Sequence, residues 1–224
     1  MIPVIVQLTL KMLLCKKKVM ATENLVLMKA ASASLKGKWG LAIGTFLIYT
    51  VIMGSFGTMQ KAGFAALLVA GPLNLGAAFF SLSLSRGREA RLEQLFDGFR
   101  FFSNALVTYL LTILYIFLWL LLLIIPGIIA ALSYTMVFYI LADNPELKPR
   151  EVLALSQQMM DGHKARLFYL YIRFFLLVLV CLLTLGIGFL WLIPYVHITM
   201  AKFYDDLKTT ELKQSSVNSP DTLK

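Results

Sequence analysis

Apolar positions along this chain come in uninterrupted blocks, not in the alternation of a half-buried strand or the three-to-four spacing of a surface helix. Trp39 to Phe56 and Ala62 to Leu84 are two such blocks, separated by the small polar break Gly57-Thr58-Met59-Gln60-Lys61. Ala105 to Ala142, which holds no charge, and Leu167 to Tyr204 are longer, at 38 residues each. About 20 apolar residues suffice to cross roughly 30 Å of hydrocarbon. A helix of 38 would run about 57 Å, so each long block must turn back. Ile125-Pro126-Gly127 and Leu185-Gly186-Ile187-Gly188 mark the turns, since proline cannot continue the hydrogen-bond ladder and glycine permits a reversed backbone. The pattern predicts an all-α polytopic membrane protein with six transmembrane helices arranged as three hairpins. Pro72 and Pro194 fall inside the second and sixth of these helices and are read, with Pro126, Gly127, Gly186 and Gly188, as helix-break residues.

A second pattern lies ahead of each hairpin. Leu35-Lys36-Gly37-Lys38, Phe96-Asp97-Gly98-Phe99-Arg100 and Met160-Asp161-Gly162-His163-Lys164 place a glycine among charged residues at intervals of 61 and 64. Each follows a segment with an amphipathic period. In Arg88 to Phe99 the apolar residues Leu92, Leu95, Phe96 and Phe99 recur at i, i+3, i+4 and i+7. The third segment opens with Pro149, suited to a first helical position, and runs through Val152, Leu155, Met159 and Met160. The repeating unit is thus an interfacial amphipathic helix, a glycine joint and two spans. Gly37, Gly98 and Gly162 are candidate hinges, and the plain account of them is a helix C-terminal cap. The expected organisation is an N-terminal extension or weak interfacial segment over 1–19, with Met20 resembling a natural start. One six-helix domain follows over 20–208, with pseudo-repeats at about 22–87, 88–145 and 149–207, and then a disordered cytoplasmic tail over 209–224.

Composition agrees with a lipid environment. The chain is 59% hydrophobic and only 15% charged, against about 25% charged in soluble domains. Its net charge of +9 looks like an invitation to nucleic acid, but sorting the 21 Lys and Arg by loop removes it. Nineteen fall before Trp39, between the second and third spans, between the fourth and fifth, or after the sixth, while Lys61 stands alone on the other side and Arg173 lies within a span. The positive-inside rule then places both termini in the cytoplasm of a multi-pass cell-membrane protein and accounts for the excess charge without nucleic acid. Cys15 and Cys181 are too few for a disulfide framework and read as free thiols.

Charged or titratable groups inside spans are functional suspects because burying them in hydrocarbon is costly. Here there are two, Arg173 and His197. Arg173 lies about 9 Å into the fifth helix and can snorkel to the headgroups, with an anion or headgroup site as the sharper reading. His197, after Pro194, fits a neutral hydrogen-bonded packing role better than a proton relay. Asn74 and Tyr134 complete the candidate intramembrane polar site, among several hydroxyls that read as interhelical glue. No catalytic motif, metal-ligand set or cofactor signature is present. Asp161 with His163 falls short of the three or four ligands a zinc site needs.

The segment LLIIPGIIAALSYTMVFYILADNP from Leu122 to Pro145, followed by Ser156, Met160, Gly162 and Lys164 and then by TLGIGFLWLIPY and Phe203-Tyr204, resembles a bacterial integral-membrane family, domain-of-unknown-function family nine-seven-five. The likeness runs from about Leu35 to Leu207. That family is distantly similar to membrane domains attached to some glycerophosphodiester phosphodiesterases. The resemblance implies a bacterial membrane protein and carries over no catalytic residue, and Arg173 departs from the small polar residue usual there. The leading expectation is a non-enzymatic accessory, scaffold or lipid-interacting component of the bacterial cell envelope, meeting membrane lipids and a protein partner at its cytoplasmic face. A small-molecule or peptide permease built on the proline-interrupted helices is the alternative. A lipid-processing enzyme using Asp143, Asp161 and His163 comes third.

Overall fold

The structure, a computed structural model, describes residues 23–58 and 63–218. The expectations for residues 1–19, for Cys15 and for the polar break at 59–61 lie outside the described residues, as does the last part of the expected tail, 219–224. The described chain is all-α. In order it forms α1 (Glu23–Leu35), α2 (Trp39–Thr58), α3 (Gly63–Ser85), α4 (Gln94–Asp97), a 3-10 turn (Gly98–Phe101), α5 (Phe102–Leu122), α6 (Ile124–Ser133), α7 (Val137–Asp143), α8 (Pro149–Met159), α9 (Lys164–Leu183) and α10 (Phe189–Asn218).

Helices α3 and α10 form the centre. One face of α3, with Leu73, Ala77, Phe80 and Leu84, packs with α1, α2 and Ile198 of α10. Its other face, with Leu75, Ala78 and Leu82, joins α5 to α9 and the α10 residues Met200, Ala201, Phe203 and Tyr204. α5, α6 and α9 stand at the periphery, where Phe117, Leu121, Ile125, Phe175 and Val180 are exposed. So large a continuous apolar surface suits a hydrocarbon solvent.

Among the described residues, four helical stretches are long and apolar enough to cross a membrane: Ala66–Ser85, Gln94–Leu122, Ile124–Asp143 and Lys164–Leu183. A fifth is added if Glu23–Leu35 and Trp39–Ser55, bent by 100° from each other, are taken as one span. Six are not found. Trp39–Ser55 qualifies only together with the helix from which it bends. In α10 the charges at Lys202, Asp205 and Asp206 leave only Phe189 to Ala201 uncharged, about 20 Å of helix against the roughly 30 Å of a bilayer core. α10 then continues as helix to Asn218, carrying helical backbone into the segment expected to be a disordered tail.

The interfacial helices also differ from one another. α1 buries Leu27, Ala31 and Leu35 and exposes Glu23 and Lys29, with Leu25 and Val26 exposed as well. α8 is a full helix with Pro149 in its first turn and the Glu151 carboxylate accepting from the Lys148 N–H at 3.4 Å. Its buried face is Val152, Leu153, Ser156 and Met159, with Leu155 turned out. The middle copy is not a helix over Arg88 to Phe99. Regular helix covers only Gln94–Asp97, and its predicted apolar face splits, Leu95 being fully buried while Phe96 and Phe99 are exposed.

The glycines explain that difference. Gly37 and Gly162 have φ of +76° and +72° with open space around them, the left-handed cap that favours glycine. Gly98 has φ −60° and is no hinge. A Cβ there would overlap the Pro72 carbonyl, and one on Gly76 would overlap the Leu95 carbonyl. α3 and the α4 joint therefore touch backbone to backbone, and this contact occupies the place where the second amphipathic helix would have turned.

The expected breaks are redistributed as well. Pro72 lies inside a continuous α3 and Pro194 inside a continuous α10, since neighbouring helices can satisfy the carbonyl each proline frees. The α5–α6 reversal falls at Leu123, whose backbone is extended at φ −161° and ψ 142°. Pro126 follows in the first turn of α6, where its missing N–H has no helical partner to lose. Gly127 lets α6 approach α5, because a Cβ would sit 2.8 Å from the Leu120 Cα. The α9–α10 turn uses Gly186 at φ +85°, beside Leu185 at φ +52°, and Gly188 packs against the free thiol of Cys181.

Gly98→Ala is expected to destabilise the protein by about 3 kcal/mol, because the overlapping atoms are backbone and cannot swing aside. Gly162→Ala should lose only about 1 kcal/mol for left-handed alanine. Thermal unfolding in detergent reads the difference, and equal shifts would show that α3 and the joint separate freely.

Candidate functional site

The polar groups gather in two places. The first is the end of the bundle where the basic segments meet. Arg86, just past α3, sends Nη1 to Asp143 Oδ1 at 2.7 Å and Nη2 to Asp143 Oδ2 at 2.9 Å, a two-pronged pair. The same guanidinium donates through Nε and Nη2 to Asp205 Oδ1 of α10 at 3.0 and 2.7 Å. Ser85 Oγ donates to Asp205 Oδ2 at 3.1 Å, while Tyr204 Oη and Lys208 Nζ donate to Asp143 Oδ2 at 3.1 and 2.7 Å. Lys202 Nζ closes the group on the Ser85 carbonyl. Hydrogen bonding to Asp143 holds the Arg86 guanidinium protonated still more firmly than an ordinary arginine. Burial, with the Asp143 carboxylate beside it, pushes the Tyr204 phenol up.

Asp206, one residue on, faces a different helix. It accepts from Arg166 Nη1 of α9 at 2.7 Å. Arg166 Nε lies 3.3 Å from Glu23 and donates to Asn24 Oδ1 at 3.4 Å, and Asn24 Nδ2 returns a bond to the Arg166 carbonyl at 2.9 Å. The guanidinium sits 5.2 Å over the Phe203 ring, a favourable cation–π distance. A cavity of about 400 Å³ adjoins this pair, with Gly162 and His163 on its wall. Lys38 Nζ donates to the Arg88 carbonyl at 3.4 Å, and Asn104 Nδ2 to that of Pro145 at 2.9 Å. The four basic segments thus share one end. Asp161 and His163 occupy the α8–α9 turn, bonding to its own backbone, while Asp143 belongs to the Arg86 group.

The second place is a cavity of about 220 Å³ between α3, the α6–α7 turn, α9 and α10, lined by Asn74, Thr135, Tyr139, Tyr171 and His197 among apolar neighbours. Two of the four expected intramembrane residues, Asn74 and His197, meet here. Asn74 Oδ1 accepts from Tyr49 Oη at 3.2 Å and its Nδ2 donates to the Ala70 carbonyl at 2.8 Å. His197 stacks on Phe46 at 4.4 Å, and its backbone carbonyl accepts from Tyr139 Oη at 3.3 Å. Tyr134 is directed elsewhere, accepting from Gln157 Nε2 at 2.7 Å and stacking on Tyr115. Arg173, partly buried on α9, is not among the lining residues.

Thr135 and Tyr171 were not legible as site residues, since single hydroxyls in apolar helices look like packing glue. Nor was the bond from Ser156 Oγ to the Ser133 carbonyl, 2.7 Å and buried, which satisfies a backbone group exposed by the break between α6 and α7. The Arg86 group had one usable signal, namely opposite charges at the ends of three apolar blocks.

Asp143→Ala is expected to destabilise the protein by about 2 to 3 kcal/mol, somewhat less than loss of one partner from a fully buried pair, because it strands Arg86 and Lys208 together. Glu89→Ala, which removes the exposed pair with Arg91, should leave the unfolding midpoint unchanged. A midpoint equally insensitive to both would mean that the Arg86 group holds nothing together.

No curated protein and no solved structure matches the chain. A family model does match, over a narrower stretch than the resemblance in the sequence suggested. It covers the end of α5 through the first part of α10, and so includes Asp143, Ser156, Arg166, Asp205 and Asp206 but neither Arg86 nor Asn74. Residues 120–211 carry the pattern of the family described as protein of unknown function DUF975.

Proposed function

We propose that this protein is a non-enzymatic, multi-pass component of the bacterial cell membrane that engages anionic lipid headgroups through its basic end, which faces the cytoplasm. The observation that carries this reading is the grouping of exposed phenylalanines with Arg100 at that end. Asp143, Asp205 and Asp206 are taken up in ion pairs that join α3, α7, α9 and α10 through Arg86, Arg166 and Lys208. Arg88, Arg100, Lys148 and Arg150 stay exposed, with the carboxylates of Glu89, Glu93, Glu146 and Glu151 exposed among them. Phe96, Phe99 and Phe102 are exposed beside Arg100 at the head of a candidate span. The three phenyl rings suit the hydrocarbon side of the boundary and Arg100 the headgroup side, and each cation near an anionic leaflet contributes about 1 kcal/mol. Asp143, the carboxylate an enzyme reading would need, is bound up in ion pairs away from Asp161 and His163, which supports a structural role for it.

Native mass spectrometry of gently extracted protein should show phosphatidylglycerol retained in preference to phosphatidylcholine. Arg100→Gln should lower that retention about fivefold, the worth of one cation near an anionic surface. Absence of the preference would remove the proposal, and flux in proteoliposomes that depends on Asn74 or His197 would replace it with a permease. In a background lacking Cys15 and Cys181, a cysteine at Lys148 should be labelled from the cytoplasmic side and one at Leu185, 94% exposed, from outside. The reverse pattern would invert the topology.

A further inference from the structure

We propose that the cavity between α3, α9 and α10 is a binding site for the head of a neutral, hydroxyl-bearing amphiphile. This rests on the membrane setting argued above and goes beyond it by assigning a second site with different chemistry. The lining joins an amide, a threonine hydroxyl, two phenols and an imidazole, from Asn74, Thr135, Tyr139, Tyr171 and His197, and includes no Asp, Glu, Lys or Arg. Thr135 and Tyr139 already donate to the Ala131 and His197 carbonyls, so their oxygens face a ligand as acceptors, while the Tyr171 phenol and the His197 ring can donate. The wall holds no counter-ion, and a charged group without one is costly at membrane depth. A hydroxyl fits it, and a phosphate does not.

Size limits what enters. About 220 Å³ is below the roughly 300 Å³ at which pockets begin to enclose a drug-sized ligand, so only a small head is admitted and any tail must lie outside. The rim provides for that. Tyr171 is 39% exposed, and Phe168, Ile172 and Phe175 on the same helix are exposed next to it. These residues give an acyl or isoprenoid chain an apolar flank along α9, continuous with lipid. Asn74 is held in place from two sides by Tyr49 and Ala70, and His197 by its stack on Phe46, so much of the wall is formed before a ligand arrives.

The ligand chemistry is a primary hydroxyl on a long apolar tail, for which a membrane has two sources, a diacylglycerol and a prenol. The test uses the full chain in phosphatidylcholine nanodiscs with three photoactivatable probes: a diacylglycerol with a diazirine in its acyl chain, a diazirine prenol, and a phosphatidic acid with the chains of the first. Crosslinks are expected near Tyr171 to Phe175 from one or both neutral probes, saturable and displaced by the unlabelled compound, and whichever labels identifies the source. Phosphatidic acid should label that flank far less. Thr135→Val and Tyr171→Phe remove a hydroxyl with little change in volume, and each should weaken saturable labelling about fivefold, the equivalent of one ordinary hydrogen bond. An unshifted unfolding midpoint shows that these variants fold. Equal labelling by phosphatidic acid, unchanged labelling in both variants, or crosslinks only at other helices would overturn the proposal. Phosphatidylglycerol retention measured on the same preparations reports the basic end separately, so either reading can fail while the other stands.

Discussion

One guanidinium joins three helices that lie far apart in sequence. Arg86 holds Asp143 with two prongs and Asp205 with the rest of its donors, so the ends of α3 and α7 and the middle of α10 meet at a single planar group. Arginine suits the position because its donors lie in a fixed fork that matches carboxylate geometry. Asp206 extends the arrangement to α9 and α1 through Arg166 and Glu23. The two adjacent aspartates point to different partners, and α10 thereby becomes the element on which the other helices are gathered. In lipid this matters more than in water, since apolar helix faces have no hydrophobic reason to prefer one another to acyl chains.

Close backbone packing does the corresponding work within the bundle. Gly71 and Gly76 on α3 lie against Ala105 and Leu95, and Gly98 lies against Pro72. Small residues let dispersion act over a large area and exclude lipid from the seam. The same contact removes the second amphipathic helix of the repeat, so the pseudo-repeat is closest in α1 and α8 and lost in the middle copy. Helical breaks follow a related constraint, for irregular backbone at membrane depth must find partners within the protein. Ser156 supplies one at Ser133, which gives α8 a packing role beyond lying on a surface.

Polar groups are thus separated by charge. Ionic groups are drawn to one end and largely neutralise one another there, while uncharged polar groups line a cavity deeper in the bundle. On the two proposals above, this division provides two chemically distinct surfaces for lipid, one for anionic headgroups and one for a neutral head.

The sequence alone determined the helical class, the presence of several helices apolar enough to cross a membrane and the clustering of basic segments at one end, because these depend on block hydrophobicity and on the excess of cations in alternate loops. It also marked Asn74 and His197, along with Arg173 and Tyr134, as intramembrane polar residues, and Gly37, Gly98 and Gly162 as caps, since such signals are local. The number of helices long and apolar enough to span, four or five and not six, depended on where charges interrupt α10 and on the 100° bend before α2. That Gly98 is a contact and not a joint, that Pro72 and Pro194 leave their helices continuous, and that Thr135 and Tyr171 share a cavity with Asn74 were decided by tertiary structure. Each of these depends on which atoms a neighbouring helix brings within a few ångströms, and spacing along one helix does not encode the approach of another.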